Sequence, residues 1–252
     1  MKKIVVANWK MNPATPREAK VLWSKTKALT ARLKDSYLIV CPPAVFINTF
    51  SSQLTPRLSL GVQDISLAAG EGAFTGELSA QMLQYAGAQF ALIGHSERRV
   101  KGETDEEVNK KVKLALASRL KPIICVGENK RDEHGHYLEP LRQQVKKALT
   151  GLTKPDLKRI IIAYEPVWAV GRMAKGADTP AEFLHHSLFI RKTLSDLFDK
   201  KLAMQVPIIY GGSVDSKNAE GFIKEGGADG LLVGRASLKP EEFKKILYVA
   251  EH

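Results

Sequence analysis

Eight short runs of β-branched and apolar residues recur along the chain, each followed by an amphipathic stretch. They are Lys3 to Ala7, Tyr37 to Cys41, Ser59 to Gln63, Gln89 to Ile93, Pro122 to Val126, Arg159 to Tyr164, Pro207 to Tyr210 and Gly230 to Val233. A strand that is apolar on both faces belongs in a sheet covered on both sides. Eight strand and helix units in 252 residues, with no polar edge strand, predict an α/β fold whose parallel sheet closes into a (β/α)8 barrel. No linker, low-complexity segment or charge block divides the chain, so residues 1–252 read as one barrel domain.

Helix starts are written locally. Thr15-Pro16-Arg17-Glu18, Thr104-Asp105-Glu106-Glu107 and Thr179-Pro180-Ala181-Glu182 each set a Thr three residues before a Glu, the spacing of a capping box. Two of them carry Pro at the first helical position, where the missing N–H has no partner to lose. Gly87 and Gly226 or Gly227 mark helix ends, as left-handed C-terminal residues do.

The 38 basic and 27 acidic residues give a net charge of +11. The basic residues are scattered through helical segments, with no aromatic-interleaved basic run, so no nucleic-acid partner is expected. No opening segment reads as a leader and no apolar stretch approaches a membrane span, which predicts a cytoplasmic protein without membrane attachment. Cys41 and Cys125 each close an apolar strand run and read as buried, reduced thiols. His134 with His136, and His185 with His186, lack a third ligand at an informative spacing, so no metal is predicted.

In a parallel barrel the loops after the strands gather on one face, where chemistry is expected. The first strand ends in Asn8-Trp9-Lys10, and alternation would turn Asn8 and Lys10 one way and Trp9 the other. The fourth runs into Gly94-His95-Ser96-Glu97-Arg98-Arg99. The sixth ends in Glu165, followed by Pro166 and a small-residue loop that restarts a helix at Thr179, an acid followed by a lid. Tyr210-Gly211-Gly212-Ser213 and Val233-Gly234-Arg235-Ala236-Ser237 close the last two strands, the usual location of a barrel phosphate site.

Together these stretches resemble the triosephosphate isomerase family over about the whole chain, so the barrel is expected to be a TIM barrel. The specific pieces are Ala7-Asn8-Trp9-Lys10-Met11-Asn12, Gly72-Ala73-Phe74-Thr75-Gly76-Glu77, Gly94-His95-Ser96-Glu97-Arg98-Arg99, Tyr164-Glu165-Pro166-Val167-Trp168-Ala169 and Tyr210-Gly211-Gly212-Ser213-Val214. The resemblance implies interconversion of dihydroxyacetone phosphate and glyceraldehyde 3-phosphate through an enediolate, without a cofactor. It implies Glu165 as the base, His95 as electrophile and proton shuttle, Lys10 as a fixed positive charge, Asn8 as a hydrogen-bond donor and Glu97 as an assistant in proton transfer. Backbone groups of Gly171, Ser213, Gly234 and Arg235 would hold the phosphate. It further implies a homodimer through the loop Asp64 to Gly76, with Thr75 approaching the other active site and with Glu77 and Arg98 supporting the loop.

Two departures from the family stand out. The segment Gly171-Arg172-Met173-Ala174-Lys175-Gly176-Ala177-Asp178-Thr179-Pro180 is two residues longer than the usual lid, and Arg235 replaces a glycine beside the phosphate. They motivate an alternative, a catalytically impaired relative that binds a phosphate ligand or a partner. A different barrel isomerase of phosphorylated sugars would fit the last two turns but not the segments around His95 and Glu165.

Overall fold

The computed structural model describes residues 2–169 and 178–252. The strands are β1 Lys3–Asn8, β2 Ser36–Cys41, β3 Leu58–Val62, β4 Phe90–Ile93, β5 Lys121–Val126, β6 Ile161–Tyr164, β7 Ile208–Tyr210 and β8 Gly230–Val233. All neighbouring pairs are parallel, and β8 returns to β1 with Ala7 opposite Val233, so the sheet is a closed TIM barrel.

Alternation along each strand divides the core in two. Val6, Ile39, Cys41, Phe90, Leu92, Ile123, Cys125, Ile161, Ala163, Ile209 and Leu232 fill the barrel interior. Their neighbours, among them Val5, Ala7, Leu38, Val40, Ile162 and Tyr164, face outward and join the helices in a second, larger cluster. Cys41 and Cys125 are free and buried in the inner cluster, where burial pushes both thiols up and keeps them protonated.

All three expected capping boxes form. Thr15, Thr104 and Thr179 each accept the N–H of the Glu three residues on, and each Glu side chain accepts the Thr N–H. Gly87 and Gly227 adopt positive φ at helix ends.

Strand boundaries shift where another group competes for the backbone. The sixth strand begins at Ile161 rather than Arg159, because Thr153 and Asp156 cap a helical turn and the Arg159 N–H closes it onto Asp156 O at 2.9 Å. The third strand ends at Val62. Gln63 instead sends its side-chain amide to Lys10 O at 2.7 Å and Cys41 O at 2.9 Å, tying the ends of β1, β2 and β3 together.

Candidate active site

The β6 alternation places Glu165. Ala163 points inward and Tyr164 outward, so Glu165, whose N–H continues the ladder to Val126 O at 2.8 Å, turns back over the barrel axis. Its carboxylate is buried, and a Cβ on Gly211 would lie 2.8 Å from Glu165 Cγ, so only a glycine leaves it this room. Oε2 accepts the Ser96 N–H at 3.0 Å. Oε1 lies 3.4 Å from His95 Nε2 and has no hydrogen bond among the described residues. A buried oxygen without a donor costs about 1–3 kcal/mol.

His95 reaches that oxygen through Gly94, whose φ of 75° turns the chain sharply after β4. A Cβ there would also meet Val108, Cys125 O and Arg99 at 3.0 to 3.2 Å. His95 then caps the short helix Ser96–Arg99, its Nδ1 accepting the Glu97 N–H at 3.1 Å. With Nδ1 an acceptor, the ring hydrogen of the neutral imidazole sits on Nε2, the nitrogen that faces Glu165. This tautomer follows from the hydrogen-bond pattern.

Lys10 joins the site by an unusual backbone. It has φ of 52°, which costs a residue with a Cβ roughly 1–2 kcal/mol. The Lys10 N–H donates to Asn8 Oδ1 at 3.0 Å, while Gln63 holds the Lys10 carbonyl. Strand alternation therefore ends at Asn8, and it is this left-handed turn that brings Lys10 to the same cleft. Trp9 faces the outer core, edge-on to Phe50. Lys10 Nζ is 2.6 Å from Glu97 Oε1. Burial by itself would raise the Glu97 carboxyl, but the Lys10 hydrogen bond and charge outweigh it and hold it below the ordinary value.

Asn8, Lys10, His95, Glu97, Glu165, Ser213, Gly234 and Arg235 all line one cleft of about 620 Å³ at the C-terminal mouth of the barrel. Ser213 spends its donors inside the protein, its N–H and hydroxyl reaching Ala169 O at 3.2 and 2.7 Å. Gly234 has open space, with Lys10 Cε the nearest atom to a built Cβ at 3.7 Å. Arg235 opens the 3-10 turn Arg235–Leu238 with an exposed side chain. Gly171 lies outside the described residues, as does most of the longer segment after β6.

The residue reading missed a second set of groups beside this cleft. Glu128, just past β5, is buried and accepts from Tyr164 OH at 2.9 Å, Trp168 Nε1 at 2.9 Å and Arg131 Nε at 2.9 Å. Its signal was the one that singled out Glu165, a carboxylate following a buried strand. Gln63 was missed because it was assigned to a strand. His186 lies flat on Tyr164 with ring centroids 5.0 Å apart, and its Nδ1 is 2.6 Å from Glu182 O. His134 and His136 sit in a turn whose N–H groups Asp132 accepts.

A family model of triosephosphate isomerase matches residues 3–250. Curated triosephosphate isomerases are similar along their full length. That of Treponema denticola is 42% identical, covering 100% of each chain. That of Citrifermentans bemidjiense is 41% identical over 99% of each, and that of Natranaerobius thermophilus 40% identical over 98% of this chain and 95% of its own. With a match across nearly every residue and a closed eight-stranded barrel carrying a carboxylate, an imidazole and an ammonium at one mouth, the chain belongs to the triosephosphate isomerase family.

Proposed function

We propose that this chain interconverts dihydroxyacetone phosphate and D-glyceraldehyde 3-phosphate, with Glu165 moving a proton between adjacent carbons through an enediolate. The observation that supports this most directly is the free Glu165 Oε1, buried and 3.4 Å from His95 Nε2. Ser96 fixes the other oxygen, so one lone-pair face of the carboxylate remains for carbon-bound protons. As the proton leaves, negative charge develops on the substrate carbonyl oxygen. The Nε2–H of His95 would stabilise that oxygen and exchange protons between the two oxygens, with Lys10 supplying positive charge and Asn8 a further polar contact. Glu97, held ionised by Lys10, sets the ammonium's position and would give it up to substrate. No step in this scheme calls for a cofactor.

The phosphate would lie beside Lys10 at the Gly234 and Arg235 turn, with Ser213 joining after releasing Ala169 O. Gly171 completes that set in the reading from sequence. A cytoplasmic setting goes with this reading, since charged phosphate esters do not cross membranes; among the described residues no helix is long and apolar enough to span one.

A homodimer is part of the same proposal. Met11, Val45, Phe74, Met82 and Tyr85 are exposed apolar side chains, all from the first three strand and helix units. The loop from Asp64 is braced at its root by Arg98 Nε at 2.9 Å and Lys111 Nζ at 2.7 Å, and residues 71–78 project into solvent. Such a concentration of exposed apolar groups fits burial against a second copy.

A coupled assay of glyceraldehyde 3-phosphate isomerisation tests the reading. Glu165→Gln should lower kcat by about 10³-fold or more, since the base is removed while the shape is kept. Unchanged turnover would reject the mechanism. A folded chain that binds phosphate ligands without turnover would favour an impaired relative.

A further inference from the structure

A groove of about 870 Å³ lies on the outside of the barrel between the helices Pro16–Leu29 and Pro240–Glu251. Helical spacing builds its two walls. Lys25, Ala28, Leu29 and Arg32 stand at i, i+3, i+4 and i+7, on one side of the first helix and of the 3-10 turn that ends it. Lys245, Val249 and His252 repeat that spacing on the last helix, beside Lys244 and the exposed Tyr248. Leu33 and Leu247, both buried, form the floor with the partly buried Leu29 and Val249. An apolar strip of this length, open to water along two helices, gains by being covered.

The rim carries one sign of charge. Lys25, Arg32, Lys244 and Lys245 make no ion pair among the described residues, while two of the three acids in the lining are taken. Glu251 accepts the N–H groups of Asp35 at 2.9 Å and Ser36 at 3.1 Å, and Glu220 is 3.0 Å from Lys224. Glu241 is left against four cations, so a positive rim stands over an aliphatic floor.

That pairing of charge and floor selects the occupant. A second copy of the chain would bring its own net charge of +11 to a face that is already basic. An extended peptide would find no ladder partners, because the walls are helices whose backbone groups are bonded within the helix. The floor of Leu and Val side chains has no donor or acceptor for a base or a sugar. The volume falls in the range of small-molecule sites, about 300–1,000 Å³.

We propose that this groove binds a free long-chain acyl anion, with the hydrocarbon chain on Leu29, Leu33, Leu247 and Val249 and the carboxylate at the rim of Lys25, Arg32, Lys244 and Lys245. None of these residues lines the active cleft, so the site stands apart from the isomerase reading.

Isothermal titration calorimetry with monomeric dodecanoate tests the proposal on the intact chain. Binding should saturate and be at least about tenfold tighter than that of octanoate, because each fully buried methylene is worth about fourfold. Dodecyltrimethylammonium, with the same chain and the opposite charge, should bind at least about tenfold more weakly than dodecanoate. Ala28→Trp fills the groove from an exposed helical position, and it should weaken dodecanoate by roughly tenfold with urea unfolding unchanged. The pair Lys244→Glu with Lys245→Glu should do the same by reversing the rim charge. A charge-matched pair across the barrel, Lys110→Glu with Lys113→Glu on the helix Asp105–Ala117, should change binding by less than about twofold. Absence of dodecanoate binding, equal affinity for octanoate, or equal losses in the two charge-reversed pairs overturns the proposal. Displacement of dodecanoate by inorganic phosphate at constant ionic strength also overturns it, by placing the anion in the active cleft. Three results would hand the face to another occupant and overturn it as well. They are cosedimentation with phosphatidylglycerol vesicles without dodecanoate binding, saturable binding of an acidic amphipathic peptide without dodecanoate binding, and a lower sedimenting mass for Ala28→Trp than for the parent.

Discussion

Glu165 and His95 meet at 3.4 Å, Oε1 to Nε2, while the second Glu165 oxygen is anchored at 3.0 Å by the N–H of Ser96, the residue next to His95. The short helix Ser96–Arg99 therefore sets both partners at once. Its capping turn fixes the imidazole tautomer, and its first N–H fixes the carboxylate rotation. In the proposed reaction, the group that takes the carbon proton and the group that meets the oxygen are aligned by one turn of backbone.

Shortening the carboxylate tests how closely that alignment matters. Glu165→Asp keeps the charge but withdraws it by one methylene, and a displacement of about 1 Å lowers kcat by on the order of 10²-fold. Steady-state kinetics should show the loss in kcat with KM little changed. A loss carried by KM alone would mean that Glu165 serves binding and not proton transfer.

His95→Gln removes the imidazole and its Nε2–H while keeping a side chain that can still donate a hydrogen bond. The expected loss in kcat is about 10²-fold, as for removal of one donor aimed at a developing oxyanion. If the pH profile and kcat of this variant match those of the parent, His95 is not the electrophile.

Gly94 should tolerate no side chain. Gly102 also has positive φ, but a Cβ there meets nothing within 4 Å, so Gly102→Ala reports backbone strain alone, about 1 kcal/mol. Gly94→Ala adds contacts of 3.0 to 3.2 Å with Val108, Cys125 O and Arg99. Urea unfolding should show a loss larger by about 1–2 kcal/mol. Equal losses would mean that the surroundings of Gly94 adjust freely.

Arg235 is the most visible departure from the family at the cleft. Its guanidinium is exposed and lines the same cleft as Lys10. Arg235→Gly should weaken binding of inorganic phosphate, measured by calorimetry, by roughly fivefold, and Arg32→Ala on the far surface by much less. Equal effects would remove Arg235 from the proposed phosphate site.

The barrel was legible because its cues are local. Continuous apolar runs, Thr-x-x-Glu spacings and Pro at first helical positions each act over a few residues, and the three predicted helix starts are the observed ones. At Arg159 and Gln63 a helical turn or a side chain competed for the backbone, and the remaining strand ends differ from the expected ones by one residue at most. The site was legible in part. Asn8, Lys10, His95, Glu97 and Glu165 share one cleft, but the reason offered for Lys10, strand alternation, gives way to a left-handed turn held by Gln63.

By itself the sequence determined a parallel eight-stranded barrel and set a carboxylate at the inward-facing end of its sixth strand, since a period of two and the burial of apolar runs need no distant partner. Only the tertiary structure decided which oxygen of Glu165 stays free, that Ser213 gives both donors to Ala169, and that Arg131 gathers Glu128, Asp178 and Glu182. Those outcomes join residues from 3 to 69 positions apart in sequence. Which donor reaches which acceptor there depends on how the strands close around one axis, and no local spacing encodes that.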